Sequence, residues 1–215
     1  MSAPTDKSKR LLRQTFIIVD GLIVLYIVLD VIAQALPPHY SPISQAESLL
    51  AVGPYGYIMT VNFLIRGVFS LLFVYAMVQV LSVFGGNWRN YKFELYAIGI
   101  WGAGALLLAG FPATGRTLVT HAIIAYIVLF AAPLGEFSIS LKSSRVKALA
   151  GVRKTALAIA LFGVLLMVFF LWLLPFLHGL KSGYDGLFER LLLGSIIAWM
   201  GVMSTYALRH VASIR

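Results

Sequence analysis

Six long apolar stretches constrain the fold of this chain more than any other feature of its sequence. They cover, to within a few residues, positions 16–36, 57–84, 94–111, 117–135, 155–177 and 187–208. A helix needs about 20 mostly apolar residues to cross the ~30 Å hydrocarbon core of a bilayer. The stretches therefore predict an all-α, polytopic membrane protein with six transmembrane helices, forming a single transmembrane domain over residues 1–215.

The overall composition agrees with a membrane protein. Apolar residues make up 60% of the chain and charged residues only 12%, whereas about a quarter of the residues in a soluble domain are charged. The chain also contains no cysteine, which excludes disulfides, thiolate metal sites and cysteine nucleophiles.

The distribution of basic residues predicts the orientation in the membrane. The N-terminal tail, the second loop, the fourth loop and the C-terminal tail share most of them: Lys7, Lys9, Arg10, Arg13, Arg89, Lys92, Lys142, Arg145, Lys147, Arg153, Lys154, Arg209 and Arg215. The other side has Arg116, Lys181 and Arg190. Cytoplasmic loops collect Lys and Arg, so we expect both termini in the cytoplasm of a multi-pass protein of the cell membrane. The net charge of +9 then requires no nucleic acid partner.

Ionisable residues inside the predicted helices mark the candidate site. They cluster toward the outer leaflet, with Asp20 as the exception, and the candidate set is Asp30, Asn62, Arg66, His121, Glu189 and Arg190. A buried charge in a bilayer is costly unless it is paired or hydrated. We therefore expect Arg66 within ion-pair distance of Asp30, Glu189 or another acid, and Asp20 hydrated or paired with Arg13.

Two interpretations of this cluster remain open. It could line an outward-facing polar pocket, in which Arg66 binds an anionic or zwitterionic group. Alternatively, the same residues could form a closed network that holds the helices together.

Signatures of known catalytic centres do not occur in the sequence. Gly-x-Ser-x-Gly, a Walker loop and Gly-x-Gly-x-x-Gly are all absent. His39, His121 and His178 fall on the predicted outer side, but without the spacing of HExxH or a similar zinc motif. We expect no metal and no cofactor.

Several short motifs resemble the DUF998 family of six-helix prokaryotic membrane proteins. They are Ser41-Pro42-Ile43-Ser44, Gly53-Pro54-Tyr55-Gly56, Asn62-Phe63, Arg66-Gly67, the Phe111-Pro112 turn before His121, and Gly186-Leu187-Phe188-Glu189-Arg190. A more distant similarity links the chain to the Frag1/DRAM-like six-helix proteins. The resemblance implies the fold and a membrane location but supplies no activity.

Two functional hypotheses follow. The first is a non-catalytic accessory, lipid-binding or sensing component with an outward-facing polar pocket. Its expected partners are membrane lipid, a small anionic or zwitterionic ligand and another membrane protein. The alternative is a membrane-embedded hydrolase or lipid-modifying enzyme that uses the outer cluster, so whether the protein is an enzyme stays open at this point.

Overall fold

The computed structural model describes residues 6–37, 39–84, 87–146, 148–173 and 183–213. Within these ranges the regular structure is helical, and six helices are long and apolar enough to cross a membrane. The main helices are α1 (Asp6–Ala35), α2 (Gly56–Phe84), α3 (Lys92–Gly110), α4 (Leu118–Lys142), α5 (Arg153–Val168) and α6 (Asp185–Ser213). Short 3-10 helices cover Glu47–Ala51, Trp88–Tyr91, Gly115–Thr117, Ser143–Arg145 and Ala150–Val152, and a π-helical turn, Phe169–Leu173, continues α5. The chain is therefore a multi-pass membrane protein.

Some predicted features lie outside the described residues. These are the end of the fifth predicted helix (174–177), His178, Lys181, Lys147 and Arg215. The orientation of the bundle in the membrane also remains a prediction.

Several helices extend beyond the apolar stretches that predicted them. Helix α1 begins at Asp6 instead of residue 16, and α4 continues to Lys142 instead of residue 135. Apolar composition marks the part of a helix that meets hydrocarbon, whereas the backbone hydrogen bonds of a helix can continue into the headgroup region. The apolar stretch is thus shorter than the helix.

The six helices form a ring in chain order. Each helix packs against the next one in the sequence, and α6 closes the ring against α1. Helix α6 also touches α4 and α2, so it lies nearer the axis of the bundle. Its most apolar segment is accordingly 56% buried, against 28% for the corresponding segment of α1.

Small residues bring α2 and α3 close together. A side chain on Gly67 would approach the Gly102 carbonyl oxygen to 2.9 Å, and one on Gly102 would approach Ser70 Cβ to 3.0 Å. Membrane helices commonly pack through such small residues. Gly99 also lies on α3, but no atom lies within 4 Å of the position that a side chain at Gly99 would take.

Aromatic side chains fill the middle of the bundle. Phe69, Phe73, Trp101 and Trp199 are fully buried, and the Phe73 and Trp199 rings meet edge to face at 5.7 Å. They separate two polar ends. We call the end with residues 36–55, 111–117 and the start of α6 the first-loop end. The end with the start of α1, residues 87–91 and 143–152, and the end of α6 is called the basic end.

Candidate functional site

The first loop docks tightly onto the start of α6. The Leu187 N–H donates to the Ile43 carbonyl at 2.8 Å, and the Glu47 N–H donates to Glu189 Oε2 at 2.9 Å. A side chain on Gly186 would come within 2.2 Å of the Gln45 carbonyl oxygen. Only glycine therefore lets the loop backbone approach α6 this closely.

Arg190 holds the same loop in place. Its Nη1 donates to the carbonyls of Pro42 (2.8 Å), Gln45 (2.9 Å) and Gly186 (3.1 Å), and its Nη2 donates to the Tyr40 hydroxyl. Burial raises the pKa of Tyr40, so the hydroxyl stays protonated and can donate to the nearby loop carbonyls. Arg190 therefore anchors the loop, with most of its donors already used.

Glu47 is a site residue that the sequence analysis missed. Its side chain is only 2% exposed, and its Oε1 accepts a 2.6 Å hydrogen bond from the Tyr26 hydroxyl of α1. Its only sequence signal is that it is the single acid in the first loop. Because it lies between helices in the sequence, a search for ionisable residues within apolar stretches passes over it.

Arg66 lines a small cavity, which we call the Arg66 chamber. Its volume is about 20 Å³, and Glu47, Arg66, Trp101, His121 and Glu189 are among the residues that line it. This volume accommodates about one water molecule. The structure thus brings three of the predicted residues together but leaves no room for a ligand headgroup beside them.

The ion pair expected for Arg66 is not formed. Its guanidinium lies between the Phe63 and Trp101 rings, 4.9 and 4.6 Å from their centroids. The ion pairs among the described residues are Lys9–Asp6 and Lys142–Glu94. The expectation fails because cation–π contacts take up the faces of the guanidinium and because Glu189 accepts a hydrogen bond from the loop backbone. Glu189 still attracts Arg66 electrostatically from a longer distance.

His121 and Asn62 contribute less to the site than predicted. His121 Nδ1 lies 2.7 Å from the Phe111 carbonyl oxygen, a distance at which a protonated Nδ1 donates to it and joins α4 to the preceding turn. Asn62 is fully buried, and neither amide atom has a hydrogen-bond partner among the described residues. It does not line the Arg66 chamber.

Asp30 and Arg190 line a separate and larger cavity, which we call the α1–α6 groove. It has a volume of about 470 Å³ and mostly apolar walls, with Asp30, Glu47 and Arg190 at one end. The Asp30 and Glu47 carboxyl groups lie close enough to interact. Asp30 Oδ2 accepts from Gln34 Nε2 at 2.5 Å, while the buried Oδ1 has no partner among the described residues. Glu47 lines both cavities, so the predicted cluster is divided into two compartments that meet at this residue.

The basic end also buries ionisable residues, contrary to the expectation that they cluster near one leaflet. Glu94 is fully buried and accepts from Lys142 Nζ at 2.5 Å and from Ser138 Oγ at 2.6 Å. Glu136 is fully buried as well, without a partner for either oxygen among the described residues. Both acids fall at the edges of the apolar stretches 94–111 and 117–135, and neither was among the predicted site residues.

Asp20 has partners other than the expected Arg13. Its Oδ2 accepts from Thr205 Oγ1 of α6 at 3.3 Å, and its buried Oδ1 has no partner among the described residues. The neutral hydroxyl of the neighbouring helix takes the place of the arginine, which lies two turns away along α1.

Metal binding has no geometric support in the described part of the chain. No group of three or more His, Asp and Glu side chains is arranged there to hold an ion. His178, one of the three histidines considered above, lies outside the described residues.

Comparison with known proteins identifies a family. The family described as a protein of unknown function, DUF998, matches residues 21–206. No curated protein and no solved structure matches the chain. The match runs from the middle of α1 nearly to the end of α6 and includes every residue of both cavities, so this chain belongs to the DUF998 family.

Proposed function

We propose that this protein is a non-catalytic component of the cell membrane that holds one lipid with a zwitterionic, amine-bearing headgroup in the α1–α6 groove. The observation that carries the proposal is the groove itself, since its long apolar wall ends at a pair of carboxyl groups. An amphiphile has the same order of chemistry, with an apolar tail and a polar head. The family match supports a membrane protein of this kind without naming a ligand.

The apolar part of the groove suits an acyl chain. Residues of α1 and α6, including Ile23, Ile27 and Ile197, form its walls. Gly194 and Gly201 widen it, because no atom lies within 4 Å of the position that a side chain on either residue would occupy. Ligand cavities of ~300–1,000 Å³ are common, and this groove falls in that range.

The polar end of the groove favours an ammonium group over a phosphate. Asp30 and Glu47 supply carboxyl oxygens, and a primary ammonium has three N–H donors. Arg190 contributes positive charge, but the loop carbonyls already occupy most of its donors. The headgroup amine would therefore contact the acids directly, while its phosphate would feel the field of Arg190 from the mouth of the groove.

The alternative function, a hydrolase or lipid-modifying enzyme, has less support from the described residues. His121, the natural candidate for an acid–base group, contacts the Phe111 carbonyl and lines a chamber of only about 20 Å³. A substrate has no room beside it.

Lipid retention in the purified protein tests the proposal. Ile27 lines the groove and is 48% exposed, whereas its neighbour Val28 is 47% exposed and does not line it. We expect Ile27→Trp to remove a bound phosphatidylethanolamine detected by native mass spectrometry, and Val28→Trp to leave it in place. Equal retention in both variants, or no bound lipid in the unmodified protein, would overturn the proposal.

The headgroup preference is tested separately. Asp30→Asn should weaken retention of phosphatidylethanolamine by roughly tenfold, equivalent to about 1.4 kcal/mol. Phosphatidylcholine, whose quaternary amine has no N–H donor, should bind more weakly to the unmodified protein. Equal binding of the two lipids, or stronger binding of phosphatidylglycerol, would show that the carboxyl pair does not select the headgroup.

We also propose that the first-loop end faces outward. Because the chain has no cysteine, single-cysteine variants give unique labels. Ser44 is exposed at the first-loop end and Ser144 at the basic end. A membrane-impermeant thiol reagent applied to intact cells should label Ser44→Cys and spare Ser144→Cys. The reverse pattern would overturn the orientation.

A further inference from the structure

Another cavity, with different chemistry, lies at the basic end between α5 and α6. Its volume is about 370 Å³, and its lining includes Thr155, Thr205, Tyr206 and Arg209. Three residues with hydroxyl groups and one arginine thus line the same space. No Asp or Glu is among the lining residues, in contrast to the polar end of the α1–α6 groove.

The charges around this cavity are mostly positive. Arg209 is exposed at the last turns of α6, and Lys154 is exposed in the first turn of α5. One acid is linked to the cavity through a lining residue: Asp20 of α1 accepts a hydrogen bond from Thr205 Oγ1 at 3.3 Å. Glu94, another acid of the basic end, is already paired with Lys142.

The start of α5 forms part of the same wall. Gly151, Val152 and Thr155 line the cavity, and the Val152 and Arg153 N–H groups donate to the Leu149 and Ala150 carbonyls of the preceding 3-10 helix. The positive end of the helix dipole favours negative charge nearby. It would supplement Arg209, whose guanidinium suits the oxygens of a phosphate.

Gly151 allows Tyr206 to approach the start of α5. A side chain at Gly151 would come within 2.2 Å of the Tyr206 hydroxyl oxygen. The hydroxyl is consequently held at the wall of the cavity, next to the Nε2 of His210 at 3.4 Å.

We propose that this cavity binds the phosphate group of an anionic lipid. Basic pockets between membrane helices are suited to anionic headgroups. Arg209 and the hydroxyls of Thr155 and Tyr206 would supply the donors, since the Thr205 hydroxyl already donates to Asp20. This site is distinct from the α1–α6 groove in position and in charge preference, and it does not depend on the function proposed for that groove. The same phosphate chemistry would also admit free phosphate, which the experiment must distinguish.

The test measures retention of phosphatidylglycerol by the full chain in nanodiscs that otherwise contain phosphatidylcholine. Arg209→Gln should lower retention roughly tenfold, in line with the loss of a charge-assisted hydrogen bond. The matched control is Arg89→Gln, because Arg89 is another exposed arginine of the basic end outside this cavity. We expect Arg89→Gln to change retention by less than about twofold, since it contributes only to the general surface charge.

A second variant and a competition experiment complete the test. Thr155 is exposed, so Thr155→Val should fold normally and still reduce retention. Inorganic phosphate at millimolar concentration should not displace the lipid, and displacement would overturn the assignment to a lipid in favour of free phosphate. Equal losses of phosphatidylglycerol retention in Arg209→Gln and Arg89→Gln would show that the lipid is held by non-specific surface charge and would overturn the proposal. No loss of retention in Thr155→Val would overturn it as well. Ile27→Trp should leave this retention unchanged, which separates the result from that of the α1–α6 groove.

Discussion

The two ends of the bundle both bury charged side chains but neutralise them in different ways. At the first-loop end, Arg66 lies between two aromatic rings and Arg190 donates to backbone carbonyls. At the basic end, Glu94 forms a direct ion pair with Lys142. Neither Arg66 nor Arg190 has an ion pair among the described residues.

The secondary structure around each cluster explains the difference. Residues 40–46 are not helical, so the carbonyls of Pro42 and Gln45 are free to accept from Arg190. The N–H of Glu47, at the start of the following 3-10 helix, is likewise free to donate to Glu189. Glu94 and Lys142 lie in the first turn of α3 and at the last residue of α4, and no loop in the described part of the chain folds over them as the first loop does over α6. The hydrogen bonds of the Glu94 carboxylate therefore come mainly from the side chains of Lys142 and Ser138. The basic-end cluster thus depends on one pair of side chains, and the first-loop cluster depends on the position of a loop.

Removal of Lys142 should have the largest effect. Lys142→Met leaves the fully buried Glu94 carboxylate with Ser138 as its remaining side-chain partner. Loss of one partner of a fully buried ion pair destabilises a protein by about 3–5 kcal/mol, and the partial exposure of Lys142 (34%) places the expected loss at the lower end of that range. We expect a decrease of that size in the free energy of unfolding, measured in mixed detergent micelles.

Two variants control for this interpretation. Arg145→Met removes an exposed basic residue close to Lys142 and should change stability by less than about 0.5 kcal/mol. The double variant Glu94→Gln/Lys142→Met should recover most of the lost stability. If the double variant is as unstable as Lys142→Met alone, the uncompensated carboxylate is not the cause.

Arg190→Met should have the next largest effect, because it removes the hydrogen bonds that hold the first loop. Hydrogen bonds to charged groups contribute about 1.5–3 kcal/mol, and we expect a loss of stability within that range. The rate of amide hydrogen exchange of residues 41–47 should rise, because local opening of the loop then no longer requires the Arg190 hydrogen bonds to break. Arg116, an exposed arginine of another loop, provides the control variant Arg116→Met. Unchanged exchange in Arg190→Met would show that the loop is held by Glu189 and Gly186 alone.

Much of the fold is predictable from the sequence, because the bilayer requires long apolar helices. All six predicted stretches correspond to observed helices, although His178 and the end of the fifth stretch lie outside the described residues. Their ends were predicted less well, since polar residues such as Asp6 and Lys142 continue the helices past the apolar segments.

The candidate site is only partly predictable. Arg66, His121 and Glu189 do line one chamber, as their predicted depths indicated. The sequence cannot reveal that aromatic rings take the place of an acid beside Arg66, because a cation–π contact depends on which faces of α2 and α3 meet. Glu47 was missed because the folding of the first loop, and not helix periodicity, brings it to α1 and α6.

Substitution of Arg66 by lysine sharpens the contrast between cation–π and ion-pair neutralisation. Arg66→Lys keeps the charge but loses the planar guanidinium that stacks on Phe63 and Trp101. Each such contact contributes about 0.5–1 kcal/mol or more when desolvated, so we expect a loss of about 1–2 kcal/mol. Lipid retention in the α1–α6 groove should not change, because Arg66 does not line it. A loss of lipid with unchanged stability would instead place Arg66 in a ligand site.

The smallest effect is expected at Glu136, the counterpart of Glu94. Both acids are fully buried, but Glu136 has no partner for its side-chain oxygens among the described residues. Replacement of a buried polar group without partners by an apolar side chain of similar shape is close to neutral or stabilising. Glu136→Met should therefore leave the free energy of unfolding unchanged or raise it by up to about 1 kcal/mol, whereas Glu94→Met should lower it. A loss of more than about 2 kcal/mol in Glu136→Met would mean that the carboxyl group makes a stabilising interaction, and the contrast between the two acids would then not hold.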